Sequence, residues 1–260
     1  MFDADVADGW VAGRGPHGGY MAAMILRGLR ASVPDPARSP RSLTIHYARA
    51  PEPGPVTLLT RLEREGRSLS TLSARLEQDS RLIALATSAF SVPWPGPELS
   101  DVRMPEVAPP RADLQPGSAR AFGAPPFTEH LLMDPRMSEE KTAEGRRPMQ
   151  FAAWVGLAEQ RPLDALALAF FSDALIPAPF PALEQVAPAP TIDLTIHFRT
   201  ALPRAAPTAP DTRELCFVEV RASTIHEGFF DEDSMIWAPD GTLLAQSRQL
   251  ALLMPETGAP

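Results

Sequence analysis

The octet Leu43-Thr44-Ile45-His46-Tyr47-Ala48-Arg49-Ala50 returns as Leu194-Thr195-Ile196-His197-Phe198-Arg199-Thr200-Ala201. Each copy alternates apolar and polar residues, the pattern of a strand with one face in a core. Each follows an apolar helix candidate and precedes a proline-containing loop, then two or three further strand-like runs. In the first half these runs are Val56–Glu65, Leu69–Gln78 and Arg81–Ser91. In the second they are Glu214–Ile225, Asp231–Ala238 and Leu243–Leu253. Gly66 and Gly228 fall between the first two runs of each set, and Asp240-Gly241 marks a hairpin between the last two. One octet is weak evidence of duplication. The same order of elements around it in both halves makes the case.

The helix candidates fit the same plan. Gly18-Gly19 opens a run from Tyr20 to Ala31, and Pro162 precedes an apolar run from Leu163 to Ile176 that ends at Pro177. The polar residues of the second run are Asp164, Ser172 and Asp173. A helix apolar on nearly every side is wrapped by other structure. Helix followed by several strands in each half is α+β, not the alternating order of a doubly wound sheet. One buried helix per half against a curved antiparallel sheet is the hotdog plan, here present twice. Nine of the 30 prolines lie between Pro93 and Pro126, in a stretch with little apolar periodicity. That stretch divides the chain into an N-terminal hotdog, 1–92, a proline-rich linker, 93–126, and a C-terminal hotdog, 127–260.

Composition narrows the function. The 260 residues carry a formal charge of −8, and Lys141 is the sole lysine among 24 basic residues. Without a long basic run, bulk nucleic-acid binding is not expected. Arg suits bidentate recognition of a phosphate-bearing ligand. No apolar stretch reaches the ~18 residues of a membrane span, so a cytoplasmic protein that does not enter membranes is expected. The single cysteine, Cys216, sits in a strand-like run and reads as a buried small hydrophobe. Nucleotide-binding glycine loops, paired-cysteine metal patterns and a G-x-S-x-G elbow are not found, so neither a metal nor a cofactor is expected.

Four places carry possible chemistry. Asp173, within Leu168-Ala169-Phe170-Phe171-Ser172-Asp173-Ala174-Leu175-Ile176, is either a functional carboxylate or part of a solvated stripe or cap near a helix end. Strand alternation in Pro190–Arg199 puts Thr191, Asp193, Thr195 and His197 on one face, which either meets solvent or lines a site. Ala245, Ser247 and Gln249 share a face of the last strand. His17, Gly18 and Gly19 form a helix start whose bare amides suit either a ligand carbonyl or close packing.

Taken together, these residues resemble the type II acyl-CoA thioesterases, which hold two hotdogs in one chain. The resemblance runs through His17-Gly18-Gly19-Tyr20-Met21, Tyr47-Ala48-Arg49-Ala50-Pro51 and Glu63-Arg64-Glu65-Gly66-Arg67-Ser68. It continues through Phe171-Ser172-Asp173, Thr191-Ile192-Asp193 and Asp240-Gly241-Thr242-Leu243-Leu244-Ala245-Gln246-Ser247-Arg248-Gln249. It implies a hydrolase of fatty acid metabolism that cleaves acyl-CoA to free acid and CoA. Asp173, Thr191 and Gln249 would be catalytic, activating a water, and His17, Gly18 and Gly19 would meet the substrate. Departures are His17, where family members often carry a bulky aromatic, and His197, where an aromatic is usual. The hydratase pattern of Asp followed five residues later by His fails at Ala178, and the dehydratase His-Phe-Pro-Gly segment fails at Arg199-Thr200. A non-catalytic acyl-CoA-binding hotdog protein is the other reading. The fused pair already forms an internal pseudo-dimer, compatible with a monomer or a homo-oligomer.

Overall fold

The computed structural model describes residues 1–13, 15–138, 140–185, 187–202 and 214–254. The end of the expected C-terminal domain, 255–260, lies outside them. The chain opens with β1 (Phe2–Val6) and a short ribbon of β2 (Val11–Ala12) with β3 (Gly15–Pro16), then α1 (Gly18–Ala31). Four strands follow: β4 (Ser39–Tyr47), β5 (Gly54–Glu65), β6 (Leu69–Gln78) and β7 (Arg81–Ser91). The second half holds β8 (Leu131–Arg136), β9 (Gln150–Leu157), α2 (Ala165–Phe171) and β10 (Thr191–Phe198). It ends with β11 (Leu215–Arg221), β12 (Ile225–His226), β13 (Phe229–Trp237) and β14 (Leu243–Leu252).

The strands form one antiparallel sheet in the order β1-β5-β6-β7-β4-β10-β14-β13-β11-β9-β8. That order reads the same outward from its centre, with β4 matched to β10, β7 to β14, β6 to β13 and β5 to β11. The repeated octets are the two central strands, and they pair with each other, Thr195 opposite Thr44. The Thr195 hydroxyl donates to that of Thr44 at 3.1 Å. The internal repeat is therefore a pseudo-twofold, and the two halves are single hotdogs that share one sheet, together a double hotdog.

Alternation decides which face each strand buries. Leu43 and Ile45 of β4, and Leu194, Ile196 and Phe198 of β10, are buried against the helices. His46 and His197 point the other way and are exposed. Helix α1 lays Met21, Ala22, Ile25, Leu26 and Leu29 into the same core, and Cys216 of β11 is buried there too.

Helix α2 is shorter than the expected Leu163–Ile176. Asp164 caps it, its Oδ1 accepting the Ala167 N–H at 2.9 Å, which leaves Pro162 outside. It ends at Ser172, and the chain turns through Asp173 and Ala174. Strands β1, β2, β3, β8 and β9 lie outside the expected runs. Gln150–Leu157 is a nearly unbroken apolar run, and periodicity cannot assign such a run to strand or helix. Both its faces are covered. Phe151, Ala153 and Val155 face the main core, while Ala152 and Trp154 join Phe217 and Trp237 on the outside, under Met104 and Val107. The proline-rich stretch thus lies across the outer face of the second half. The Trp154 indole donates to Ala108 O at 2.9 Å, and Arg111 reaches Asp134 through both its backbone amide and its guanidinium.

Gly28 shows how closely α1 meets the sheet. A Cβ there would fall 2.2 Å from Leu58 Cδ2, and Leu58 is itself buried in β5. In an exposed helix Gly→Ala would stabilise by ~1 kcal/mol. Here overpacking costs about 1–3 kcal/mol. Gly28→Ala is expected to lower stability by about 1 kcal/mol or more, measured as a drop in the urea midpoint at unchanged m; a gain would show that the contact gives way easily.

Candidate active site

The end of α2 abuts the start of α1. His17 caps α1: its Nδ1 accepts the Tyr20 N–H at 3.2 Å. A nitrogen that accepts carries no proton, so the proton sits on Nε2, which donates to the Asp173 carbonyl at 2.7 Å. The ring stacks on Phe127 at 4.0 Å and meets Phe170 edge-on. Burial pushes the His17 pKa down, against the pull of Asp173, and the imidazole is neutral.

The carboxylate of Asp173 faces the first turn of α1. Its Oδ2 accepts the Gly19 N–H at 2.9 Å and lies 3.5 Å from His17 Nε2. Its side chain remains 14% exposed, enough for a small reactant to touch it. Burial raises its pKa; His17, the Gly19 amide and the Gln249 side chain all oppose the rise. The paired glycines follow from this contact. A Cβ on Gly18 would stand 2.7 Å from Asp173 Oδ2, and one on Gly19 would stand 2.4 Å from Phe170 O. Of the two alternatives for this helix start, close packing holds for both glycines, and the Gly19 amide is given to Asp173. Among the described residues, no protein acceptor takes the Gly18 N–H.

Thr191 reaches the same place by an irregularity. The register of β10 against β14 shifts between Thr191 and Asp193, which places Thr191 opposite Ala251 and Leu194 opposite Gln249. The simple alternation expected for this strand is broken there. Thr191 turns to the inner side with Gln249, away from Asp193, Thr195 and His197. Its hydroxyl donates to Gln249 Oε1 at 2.9 Å. Gln249 is buried, and its Nε2 donates to Glu232 Oε1 at 2.6 Å. Asp173, Thr191 and Gln249 are therefore gathered in one place, with His17, Gly18 and Gly19 forming the wall contributed by the first half.

Two further residues belong here. Tyr47, at the end of β4, donates its hydroxyl to Gly18 O at 2.9 Å, and burial, with Asp173 nearby, raises its pKa well above the ordinary value. Glu232, opposite Gln249 on β13, is buried and also accepts the Ala178 N–H at 2.6 Å. In Phe229–Trp237 polar residues fall on both faces of the strand, so nothing in the pattern marks Glu232 as inward. Among the described residues no group of three or more His, Cys, Asp or Glu is arranged to hold a metal ion, and no helix is long and apolar enough to cross a membrane.

Comparison with known proteins fits this arrangement. An uncharacterised protein of Mycobacterium tuberculosis is 27% identical over 97% of this chain and 91% of its own length. A hot dog fold protein of unknown function from Alicyclobacillus acidocaldarius superposes with a TM-score of 0.84 at 25% identity, covering 98% of this chain and 94% of the other. An acyl-CoA thioesterase II from Mycobacterium marinum superposes with a TM-score of 0.73 at 20% identity, over 95% of this chain and 92% of its own. The family model for the acyl-CoA thioesterase N-terminal domain matches residues 6–91, and that for the C-terminal domain matches 104–253. The chain, a double hotdog, belongs to the acyl-CoA thioesterase family whose N- and C-terminal domain models it matches in turn.

Proposed function

We propose that this protein hydrolyses acyl-CoA thioesters, with Asp173, Thr191 and Gln249 activating the attacking water. The observation that carries this is the meeting of a partly open, burial-strained carboxylate with a Thr191–Gln249 pair beside a helix start. Asp173 takes a proton from the water as general base. Thr191 holds the water by a hydrogen bond, and Gln249 sets the orientation of the Thr191 hydroxyl and so of that water. The water oxygen attacks the thioester carbonyl, and the tetrahedral intermediate collapses with loss of the CoA thiolate. Asp173 returns its proton to that sulfur, so the products are a free acid and a free thiol. No covalent enzyme intermediate forms. With Gly19 committed to Asp173, the Gly18 amide is the donor assigned to the developing oxyanion. A donor of that kind is worth about 3–4 kcal/mol in the transition state. His17 acts on substrate indirectly, by holding the glycine pair and the Asp173 carbonyl in place. The domains are assigned as 1–92 and 127–260 with the 93–126 segment between them, and the protein is assigned to the cytoplasm.

The test is release of free CoA from acyl-CoAs of several chain lengths. Asp173→Ala is expected to reduce kcat by about 100-fold or more, with the fold retained. Full turnover in that variant would remove Asp173 from the mechanism. Binding of acyl-CoA with no turnover in the unmodified protein would instead favour a non-catalytic acyl-CoA-binding role.

The pH profile gives a second check. Asp173 acts when ionised, and burial raises its pKa. The acid limb of kcat/KM is therefore expected above the ordinary carboxylate range near ~4, with activity lost as pH falls through the raised value. A limb at or below that range would contradict the buried environment. Gly18→Ala sets a methyl against Asp173 Oδ2. It is expected to lower kcat about tenfold or more, through misplacement of the base, with a smaller change in KM.

A further inference from the structure

Glu232 plays no direct part in this hydrolysis, yet it is 4% exposed and lies against Gln249. Its two oxygens each hold one donor, Oε1 the Gln249 Nε2 and Oε2 the Ala178 amide, both at 2.6 Å. Among the described residues no Arg, Lys or His pairs with it. A buried carboxyl without a counter-charge is expensive, and a neutral residue of similar size would fill the space at lower cost.

We propose that Glu232 is a positioning residue that fixes which way the Gln249 side-chain amide faces. This rests on Asp173, Thr191 and Gln249 acting as described above. An ionised carboxylate only accepts hydrogen bonds, so the amide must turn its NH2 end toward Glu232. Its Oε1 is then left to accept the Thr191 hydroxyl proton, as observed. The second N–H of Gln249 is available to Asp173, whose charged form it favours.

The consequence reaches the water. Thr191, having given its proton to Gln249, meets a water as an acceptor. Asp173 is an acceptor as well. Both water hydrogens are therefore directed at protein oxygens, and an oxygen lone pair is left for the thioester carbonyl. With the amide reversed, Nε2 would donate to Thr191, and the Thr191 hydroxyl would donate to the water. That would tie up the lone pair the reaction needs.

The acid form of Glu232 permits the reversed state, because a protonated Oε1 can donate to Gln249 Oε1. Burial first, then the neighbouring charges of Asp173 and Asp231, push its pKa up to about 8, against the Ala178 and Gln249 hydrogen bonds. The remaining titratable groups at this junction are His17, the cap of α1, which is neutral and engaged elsewhere, and Tyr47 of β4, whose pKa is raised well above its ordinary value. Productive orientation thus grows as pH rises through that value.

Glu232→Gln is the discriminating variant. Its carbonyl oxygen accepts the Ala178 N–H, its NH2 end faces Gln249, and the Gln249 amide is forced into the reversed state. Expected are a kcat reduced about tenfold or more with KM changed less than about twofold, and loss of the limb near pH 8. In a Gln249→Ala background the same change is expected to cost nothing further, since Glu232 acts through Gln249. Wild-type kcat in Glu232→Gln, or losses that multiply in the double variant, would overturn the proposal. A readout independent of turnover is the side-chain NH2 resonance pair of Gln249, identified by its disappearance in Gln249→Ala. It is expected to shift between about pH 7 and about pH 9 in the wild type and to stay still in Glu232→Gln. A wild-type pair that does not move overturns the proposal even if the protein hydrolyses no thioester, an outcome that would separately end the hydrolase reading.

Discussion

The contact on which the site depends is the bond from the Gly19 amide to Asp173 Oδ2, where the first turn of α1 meets the last turn of α2. It joins the two halves of a duplicated chain at a charged group. An amide at a helix start carries partial positive charge and is a good partner for a carboxylate. The approach is so close that neither Gly18 nor Gly19 has room for a Cβ. His17 completes the junction by capping one helix and tethering the Asp173 carbonyl beyond the other. Neither half alone holds this site, which explains physically why a fused pair is useful.

The fold was legible because its determinants are local and repeated. Two octets with period-two alternation, helices placed before them and turn residues between later runs together specify a twofold sheet. Gly228 and Gly241 adopt the positive φ their turns require, at 80° and 83°. The failures have physical causes. An apolar run such as Gln150–Leu157 has no period to read when both faces are covered, and the cover comes from Met104 and Val107, far off in sequence. Helix α2 ends at Ser172, well before Pro177, at the point where Asp173 meets the start of α1, and nothing within the α2 segment records that neighbour.

Part of the site was legible and part was not. Asp173 draws attention because a carboxylate amid apolar residues must be accounted for. Simple alternation places Thr191 on one face with His197, and the register shift before Asp193 separates them. A bulge is a property of two strands in register, so a single strand's sequence does not display it. Glu232 is hidden for the opposite reason. Its strand carries acids on both faces, Asp231 and Asp233 outward and Glu232 inward, and only the direction of the neighbouring β14 distinguishes them.

The chemistry of the gathered groups explains why the residue between the two acids is an amide. Asp173 and Glu232 are acceptors, and the charge of Asp173 raises the cost of charge on Glu232. A hydroxyl between them could donate one proton and serve one carboxylate. An ammonium or guanidinium would hold both, but it would pull both pKa values down and weaken Asp173 as a base. A primary amide has two N–H groups for two carboxylates and an oxygen for the Thr191 hydroxyl, all without net charge. It leaves the field of the site negative and the pKa of Asp173 high, the condition in which a carboxylate takes a proton from water most readily. The choice of glutamine at position 249 is thus set as much by what it must not do to its neighbours' charge as by the bonds it makes.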